Sequence, residues 1–118
     1  MALVADYSII TDGWVLEKDQ QLINFNAPSN VDQGSRCVLG FMLIVEALDD
    51  MILTLRLNGK EIWTWSTGGG EYFARFFQEV IPEGILQPGL NSFKFVSSSS
   101  DYRMVQVSDA VMWFQTNS

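Results

Sequence analysis

The dipeptide Asn58-Gly59, set between two apolar runs, constrains the fold of this sequence more than any other feature. Both central residues of a type I′ turn need positive φ, and Asn-Gly meets that need in two-residue β-hairpin loops. We therefore predict a hairpin over Met51 to Ser66. The two-residue loop also fixes the register of the hairpin, so Arg56 is expected opposite Glu61.

In this register Trp63 and Trp65 share a sheet face with Arg56 and Glu61. The opposite, core-facing side of the hairpin holds Leu53, Leu55, Leu57 and Ile62. Two indoles beside a charged pair are typical of a stacking surface for sugars, because sugar C–H faces pack on aromatic rings while indole N–H, Arg and Glu groups bind hydroxyls. The candidate ligand-binding residues are therefore Trp63, Trp65, Arg56, Glu61 and, near the following loop, Tyr72.

The two tryptophans also have a structural interpretation, which the sequence leaves open. A crossing loop such as Thr67 to Gly70, or another subunit, would cover both indoles. A slipped register would turn them inward, but it would place Arg56 opposite Lys60, and this like-charge pairing disfavours it.

The rest of the sequence predicts further strands. No segment repeats apolar residues at helical spacing, whereas short runs rich in Val, Ile, Phe, Tyr and Trp recur between turn-forming residues. We predict an all-β, two-sheet antiparallel sandwich of jelly-roll type, with eight or nine strands in one domain over residues 1–118. The predicted strands are Tyr7 to Ile10, Trp14 to Glu17, Gln21 to Phe25, Arg36 to Leu48, Met51 to Leu57, Glu61 to Ser66, Tyr72 to Ile81, Asn91 to Val96, and Arg103 to Gln115, the last interrupted near Ser108-Asp109.

The segment Arg36 to Leu48 is apolar at both odd and even positions. A strand that is apolar on both faces is usually buried on both faces. The outer face of a two-layer sandwich meets water, so this segment predicts a covering element or an interface with other copies of the chain. It therefore favours a homo-oligomer.

Charge and composition exclude several classes of function. The formal net charge of −7 disfavours nucleic acid and anionic membrane surfaces as partners. The chain has no histidine, which removes the usual general base and metal ligand and every Ser-His or Cys-His pair. We therefore expect no enzyme and no catalytic residues. Calcium is the one cofactor with candidate ligands, Asp49-Asp50 with Asp101 or Asp109 at loops and strand ends.

Targeting signals are also missing from the sequence. The longest apolar run, Cys37 to Val45, is far shorter than the roughly 20 residues that span a bilayer. The first residues do not form a secretory signal, and Cys37 is the one cysteine, so no internal disulfide is expected. These features favour a cytoplasmic location.

Two turn motifs, with the strands between and after them, resemble a known fold. The motifs are Leu55-Arg56-Leu57-Asn58-Gly59 and Leu86-Gln87-Pro88-Gly89-Leu90-Asn91-Ser92-Phe93, with Val80-Ile81-Pro82 between them and Val107-Ser108-Asp109-Ala110-Val111 after them. This order resembles the galactose-binding-like jelly rolls, which include sugar-binding accessory domains of family 2 glycoside hydrolases and several carbohydrate-binding modules. The resemblance covers a little over half of the chain and implies a non-enzymatic carbohydrate-binding module. The alternative is a self-assembling structural or protein-interaction domain whose apolar outer faces form an oligomer interface.

Overall fold

Antiparallel strands account for most of the part of the chain that the computed structural model describes, residues 2–15, 20–68, 72–99 and 102–117. They form two four-stranded sheets, which we call sheet A (order β1-β8-β3-β6) and sheet B (order β2-β7-β4-β5). The strands are β1 (Leu3–Val15), β2 (Gln20–Ala27), β3 (Cys37–Ala47), β4 (Ile52–Leu57), β5 (Lys60–Ser66), β6 (Tyr72–Ile81), β7 (Gly89–Ser97) and β8 (Tyr102–Asn117). The predicted all-β sandwich is confirmed.

The strand order is nested around the hairpin turn. At Asn58 and Gly59 the φ angles are 51° and 81°, as a type I′ turn requires. Beyond this turn β4 pairs with β5, β3 with β6, β2 with β7 and β1 with β8, all antiparallel. Successive pairs alternate between the two sheets. This alternation is the jelly-roll arrangement.

The first strand differs from the prediction. Tyr7 to Ile10 and Trp14 to Glu17 were predicted as separate strands, but β1 runs without a break from Leu3 to Val15. Ile10 forms a β-bulge at the point where the predicted gap begins, since Ile9 faces Val111 and Thr11 faces Ala110. Glu17 lies outside the described residues.

The inner faces of the two sheets form one hydrophobic core. Strand β3 runs through the middle of sheet A, and its inward side chains are almost completely buried. Each large apolar side chain taken from water in this way contributes about 1.5–3 kcal/mol. The fully buried side chains include Leu39, Phe41, Leu43, Val45, Leu53, Leu55, Leu57, Ile81, Phe93, Phe95, Val105, Val107 and Met112.

Asn58 and Asn91, one from each turn motif, are hydrogen-bonded to each other. The Asn58 Nδ2 donates to Asn91 Oδ1 at 2.8 Å. Asn91 is 1% exposed, and its amide also accepts from the Gln87 N–H and donates to the Gln87 and Gly89 carbonyl oxygens. The hairpin turn and the β6–β7 connection are therefore joined by an amide pair, the buried Asn91 and the half-buried Asn58, that is hydrogen-bonded within the protein.

A β-bulge in β5 shifts the register of the hairpin by one residue. Arg56 faces Glu61 as predicted, but Leu55 faces Trp63, so Ile62 is an extra residue with no partner of its own. One extra residue moves every following side chain to the other sheet face. The predicted outward placement of Trp63 and Trp65 is therefore wrong. The indoles turn inward without the slipped loop that the charges at Arg56 and Lys60 disfavour.

A second bulge lies in β8, where the sequence predicts an interruption. Gly40 faces Val111 and Met42 faces Ser108, so Asp109 is an extra residue relative to β3. Its φ of 50° is in the left-handed region. Side chains at 105 and 107 point into the core before the bulge, and those at 110 and 112 do so after it. The Asp109 bulge therefore directs Trp113 to the outer face of sheet A.

Candidate functional site

Trp63 and Trp65 belong to the core layer between the sheets. Trp63 is 8% exposed and its ring lies 5.2 Å from that of Phe41 and 5.1 Å from that of Phe77. Trp65 is half-buried, with its ring 4.7 Å from Phe73. These edge-to-face contacts close the side of the sandwich between the edge strands β5 and β6. The two indoles do not form an exposed stacking surface.

Arg56 and Glu61 lie on the outer face of sheet B, and both side chains are exposed. They are register partners, as predicted. No ion pair joins them, because the one pair with an N–O distance within 4.0 Å among the described residues is Arg103 with Glu46 at 3.8 Å.

Tyr72 lies on a third surface, the outer face of sheet A, opposite Glu46. It is 62% exposed. The five predicted site residues are therefore divided among the core layer, the outer face of sheet B and the outer face of sheet A. The structure does not bring them together in one site.

The outer face of sheet A carries exposed aromatic side chains. Tyr7, Phe76 and Trp113 are 58%, 44% and 40% exposed, and Tyr7 and Trp113 are direct cross-strand partners. Gly40 lies buried beneath the rings of Trp113 and Phe76. A Cβ at Gly40 would stand 2.7 Å from Trp113 Cζ3 and 2.8 Å from Phe76 Cζ. We call Tyr7, Trp113 and Phe76, with Gly40 beneath, the aromatic platform.

A cleft of about 890 Å³ adjoins the aromatic platform. Val38, the cross-strand partner of Trp113, lines the part of the cleft next to the platform. The polar lining residues are Ser35, Arg36, Glu83 and Gln115.

The polar groups of the cleft supply both donors and acceptors. The Ser35 hydroxyl lies 2.5 Å from Asp32 Oδ2 and 3.2 Å from Gln115 Oε1, and within the described ranges the Gln115 amide N–H groups have no acceptor. Arg36 has no carboxylate within 4.0 Å among those same residues. Arg36 and Gln115 therefore present donors to the cleft, and Glu83 presents acceptors.

The expectation of a covering layer over β3 has a partial outcome. Val38, Met42 and Ile44 on its outer face are half-buried. Within residues 2–15, 20–68, 72–99 and 102–117, no third layer packs on this face. The oligomer expected from the same pattern stays a prediction.

The predicted calcium ligands are held by the protein's own hydrogen bonds or stand apart. Asp50 Oδ1 accepts from the Ser66 hydroxyl and the Gly68 N–H, whereas Asp109 is exposed at its bulge. Asp101 lies outside the described residues. No group of three or more Cys, Asp or Glu side chains suited to a metal occurs in the described ranges.

In the part of the chain that the structure describes, no helix is long and apolar enough to cross a membrane.

Three solved structures share this architecture. A region of the dimeric latent PorU from Porphyromonas gingivalis matches with a TM-score of 0.77 at 14% identity, covering 98% of this chain and 12% of that chain. The CBM36-1 domain of a multidomain xylanase from the hindgut metagenome of Trinervitermes trinervoides matches with a TM-score of 0.51 at 10% identity, covering 88% and 78%. The C-terminal domain of EclA, a sugar-binding protein, matches with a TM-score of 0.52 at 10% identity, covering 95% and 79%.

These likenesses decide the fold. The chain has a two-sheet jelly-roll fold similar to theirs. The resemblance carried by the Asn58-Gly59 and Leu90-Asn91 motifs is thus confirmed at the level of fold. No protein-family model and no curated sequence matches the chain. This chain spans only 12% of the length of the PorU chain, and identities this low relate folds and not ligands.

No pattern in the sequence predicted the aromatic platform. In an alternating strand, the sheet face of a residue is predicted by counting positions from a residue whose face is known. The Asp109 bulge adds one position, so this count places Trp113 on the wrong face. The available signals were Ser108-Asp109, recognised as an interruption, and Gly40, the one glycine in an otherwise apolar strand. A glycine inside a strand often marks a close approach of another group.

Proposed function

We propose that this chain is a non-enzymatic carbohydrate-binding module whose ligand lies on the aromatic platform and extends into the adjoining cleft. The observation that carries the proposal is the arrangement of Trp113 and Phe76 over Gly40. A strand residue without a side chain lets two rings lie close to the sheet surface. Both rings keep a large exposed fraction there.

The shape of the aromatic platform suits an oligosaccharide. Its residues come from β1, β8 and β6, with Gly40 of β3 in between, so the platform crosses all four strands of sheet A. Three strand spacings amount to about 14 Å. Sugar C–H faces pack on aromatic rings, so a short sugar chain lying across the strands contacts each ring in turn.

The cleft supplies the polar part of the recognition. Hydroxyl groups both donate and accept hydrogen bonds. The Arg36 guanidinium and the Gln115 amide donate, and the Glu83 carboxylate accepts, so the cleft matches the hydroxyls of a sugar at one end of the platform. Tyr72, the one predicted site residue on this face, extends the aromatic surface along β6.

The fold and the composition also support the proposal. The CBM36-1 domain and the EclA domain, both sharing the fold, are a carbohydrate-binding module and part of a sugar-binding protein. The absence of histidine from the sequence supports a binding role over a catalytic one.

A glycan array followed by calorimetric titration of the best neutral oligosaccharide tests this function. Trp113→Ala is expected to weaken binding about tenfold, because stacking on an aromatic ring contributes about 1 kcal/mol beyond the area buried. Leu22→Ala is the control, since Leu22 is 56% exposed on the outer face of sheet B. No binding to any glycan, or equal affinities for the wild type and Trp113→Ala, would refute the proposal.

Self-association is the second candidate function for the same face. Ile9 and Val80 are 55% and 57% exposed on the outer face of sheet A, and apolar patches of this kind occur at interfaces between subunits. Light scattering at micromolar concentration distinguishes the two functions. A dimer that Val80→Asp dissociates favours assembly, whereas a monomer that binds sugar excludes it.

A further inference from the structure

A groove of about 410 Å³ lies along the edge strand β5, where it faces β6 across the open side of the sandwich. It is lined by Glu61, Ile62, Trp63, Thr64 and Glu79. The aromatic contacts of Trp63 and Trp65 with Phe77 close the adjoining part of this side. The groove is separate from the aromatic platform, because Glu79 projects from β6 toward sheet B and Phe76 projects from the opposite face.

Glu79 is an unusual carboxylate for its position. It pairs in register with Leu39, which is completely buried, so its side chain points to the inner side of sheet A. The residue is half-buried, yet within the described ranges it makes no hydrogen bond and no ion pair. A carboxylate held at such a position without a partner retains its full capacity to accept hydrogen bonds.

Two further polar groups of the groove also have no partner in those ranges. Glu61 lacks the expected ion pair with Arg56. Trp63 is more than nine-tenths buried and makes ring contacts but no hydrogen bond, whereas a buried indole N–H usually finds an acceptor. Both residues line the groove, Glu61 from the outer face of sheet B and Trp63 from its core side, because the groove lies at the edge strand β5.

We propose that this groove is a second binding site, specific for a saccharide that carries a free, protonated amine. The ammonium group binds between the carboxylates of Glu61 and Glu79. A sugar oxygen accepts from the Trp63 N–H, and a hydroxyl pairs with Thr64. A ligand of this chemistry satisfies all three unpartnered groups together, which a neutral sugar or a simple cation does not.

The surrounding charges favour a cation from outside the protein. The nearest arginine along β6, Arg75, lies over the Phe77 ring at 5.0 Å and does not line the groove. Glu61 and Glu79 are the charged residues that line the groove, whereas Arg56, the register partner of Glu61, does not line it. The two carboxylates give the groove a negative potential, to which the net charge of −7 adds.

The test uses three tetrasaccharides with the same β-1,4 backbone: the glucosamine tetramer, its N-acetylated form and cellotetraose. Titrations are made in the Trp113→Ala background, so that a failure of the aromatic platform and a failure of the groove are distinguished. We expect the glucosamine tetramer to bind at least tenfold more tightly than the other two. Its affinity should fall on raising the salt concentration, since charge pairing is screened.

Substitutions in the same background assign the binding to the groove. Glu79→Gln and Glu61→Gln are each expected to weaken binding of the glucosamine tetramer tenfold or more. Trp63→Phe, which keeps an aromatic ring and removes the indole N–H, should weaken it severalfold. Asp12→Asn removes one exposed carboxylate at the opposite edge of sheet A and should leave the affinity unchanged. The proposal is overturned if the acetylated tetramer binds equally well, if Glu79→Gln has no effect, or if lysine methyl ester binds as tightly as the glucosamine tetramer.

Discussion

Trp113 and Phe76 reach over Gly40 from opposite sides, and ring atoms of both stand within 2.8 Å of the point that a Cβ would occupy. Gly40→Ala should therefore push both rings outward and lower the free energy of unfolding by about 1 kcal/mol. Near-UV circular dichroism should register the change in ring environment. Gly13→Ala is the matched control, because its new methyl group meets nothing closer than Ser108 Cβ at 3.9 Å. Identical near-UV spectra for the wild type and Gly40→Ala would contradict this packing.

The buried and exposed tryptophans should differ in their contribution to stability. Trp63→Ala removes a core side chain in contact with Phe41, Phe77 and Phe95, and we expect a loss of about 3–5 kcal/mol. Trp113→Ala should cost about 1 kcal/mol or less, since the residue is 40% exposed. Urea denaturation measures both. Equal losses for the two variants would be inconsistent with the inward turn of β5.

The Asp109 bulge should depend on the backbone and not on the carboxylate. The side chain is exposed and the φ angle is 50°, where a residue other than Gly, Asn or Asp costs about 1–2 kcal/mol. Asp109→Val should lower stability by that amount, whereas Asp109→Gly should preserve or raise it. Asp12→Val, on an exposed β1 position with ordinary φ, serves as the control. A stable Asp109→Val variant would show that the left-handed residue is dispensable.

The amide pair of Asn58 and Asn91 should be a major determinant of stability. Asn91→Ala removes four side-chain hydrogen bonds, to Asn58, Gln87 and Gly89, each with a net value of about 0.5–1.5 kcal/mol. We expect a loss of about 3 kcal/mol in chemical denaturation. Asn24→Ala, at an exposed position of β2, should change the stability by no more than about 0.5 kcal/mol. If the two variants are equally stable, the amide does not join the two turns.

Cys37 should make stability fall at alkaline pH. Burial raises the pKa of its thiol above the ordinary value of 9.0, so the folded protein keeps the thiol proton at pH values where the unfolded chain releases it. The stabilisation is fully present below the unfolded pKa and is lost as the pH rises toward the folded pKa. The difference in free energy of unfolding between wild type and Cys37→Ala should therefore shrink above about pH 9. A pH-independent difference would contradict the shift.

Local turn chemistry explains why the sequence predicted the fold. Positive φ at Asn58 and Gly59 is a property of the dipeptide, and the Leu90-Asn91 motif provides the amide that binds the same turn. The sheet faces of Trp63 and Trp113 could not be predicted in this way. The face of each tryptophan depends on a single extra residue in its strand, and no property of the Ile62 side chain distinguishes it from its paired neighbours. The Trp63 indole packs against the rings of both Phe41 and Phe77, so packing across the sandwich decided the register there.

The platform was missed for the same reason. Because side chains alternate between the two sheet faces, an unrecognised bulge reverses the predicted face of every residue beyond it. Trp113 lies four positions after Asp109. The interruption predicted at Ser108-Asp109 was located correctly, but a bulge keeps the strand paired where a break would end it. Which of the two occurs depends on the neighbours β1 and β3, and these are distant in sequence.

The nesting of all strand pairs around Asn58-Gly59 has a consequence for folding kinetics. Pairing distant segments is slow because a long loop must be closed first. Here each strand pair, once formed, brings the next two strands close together. Even the pairing of β1 with β8 therefore requires the closure of only short loops. The strand pairs can therefore form one after another, starting from the β4–β5 hairpin. Its turn residues should then act on the rate of folding as well as on stability, and Asn58 is the position where φ-value measurements would detect an early nucleus.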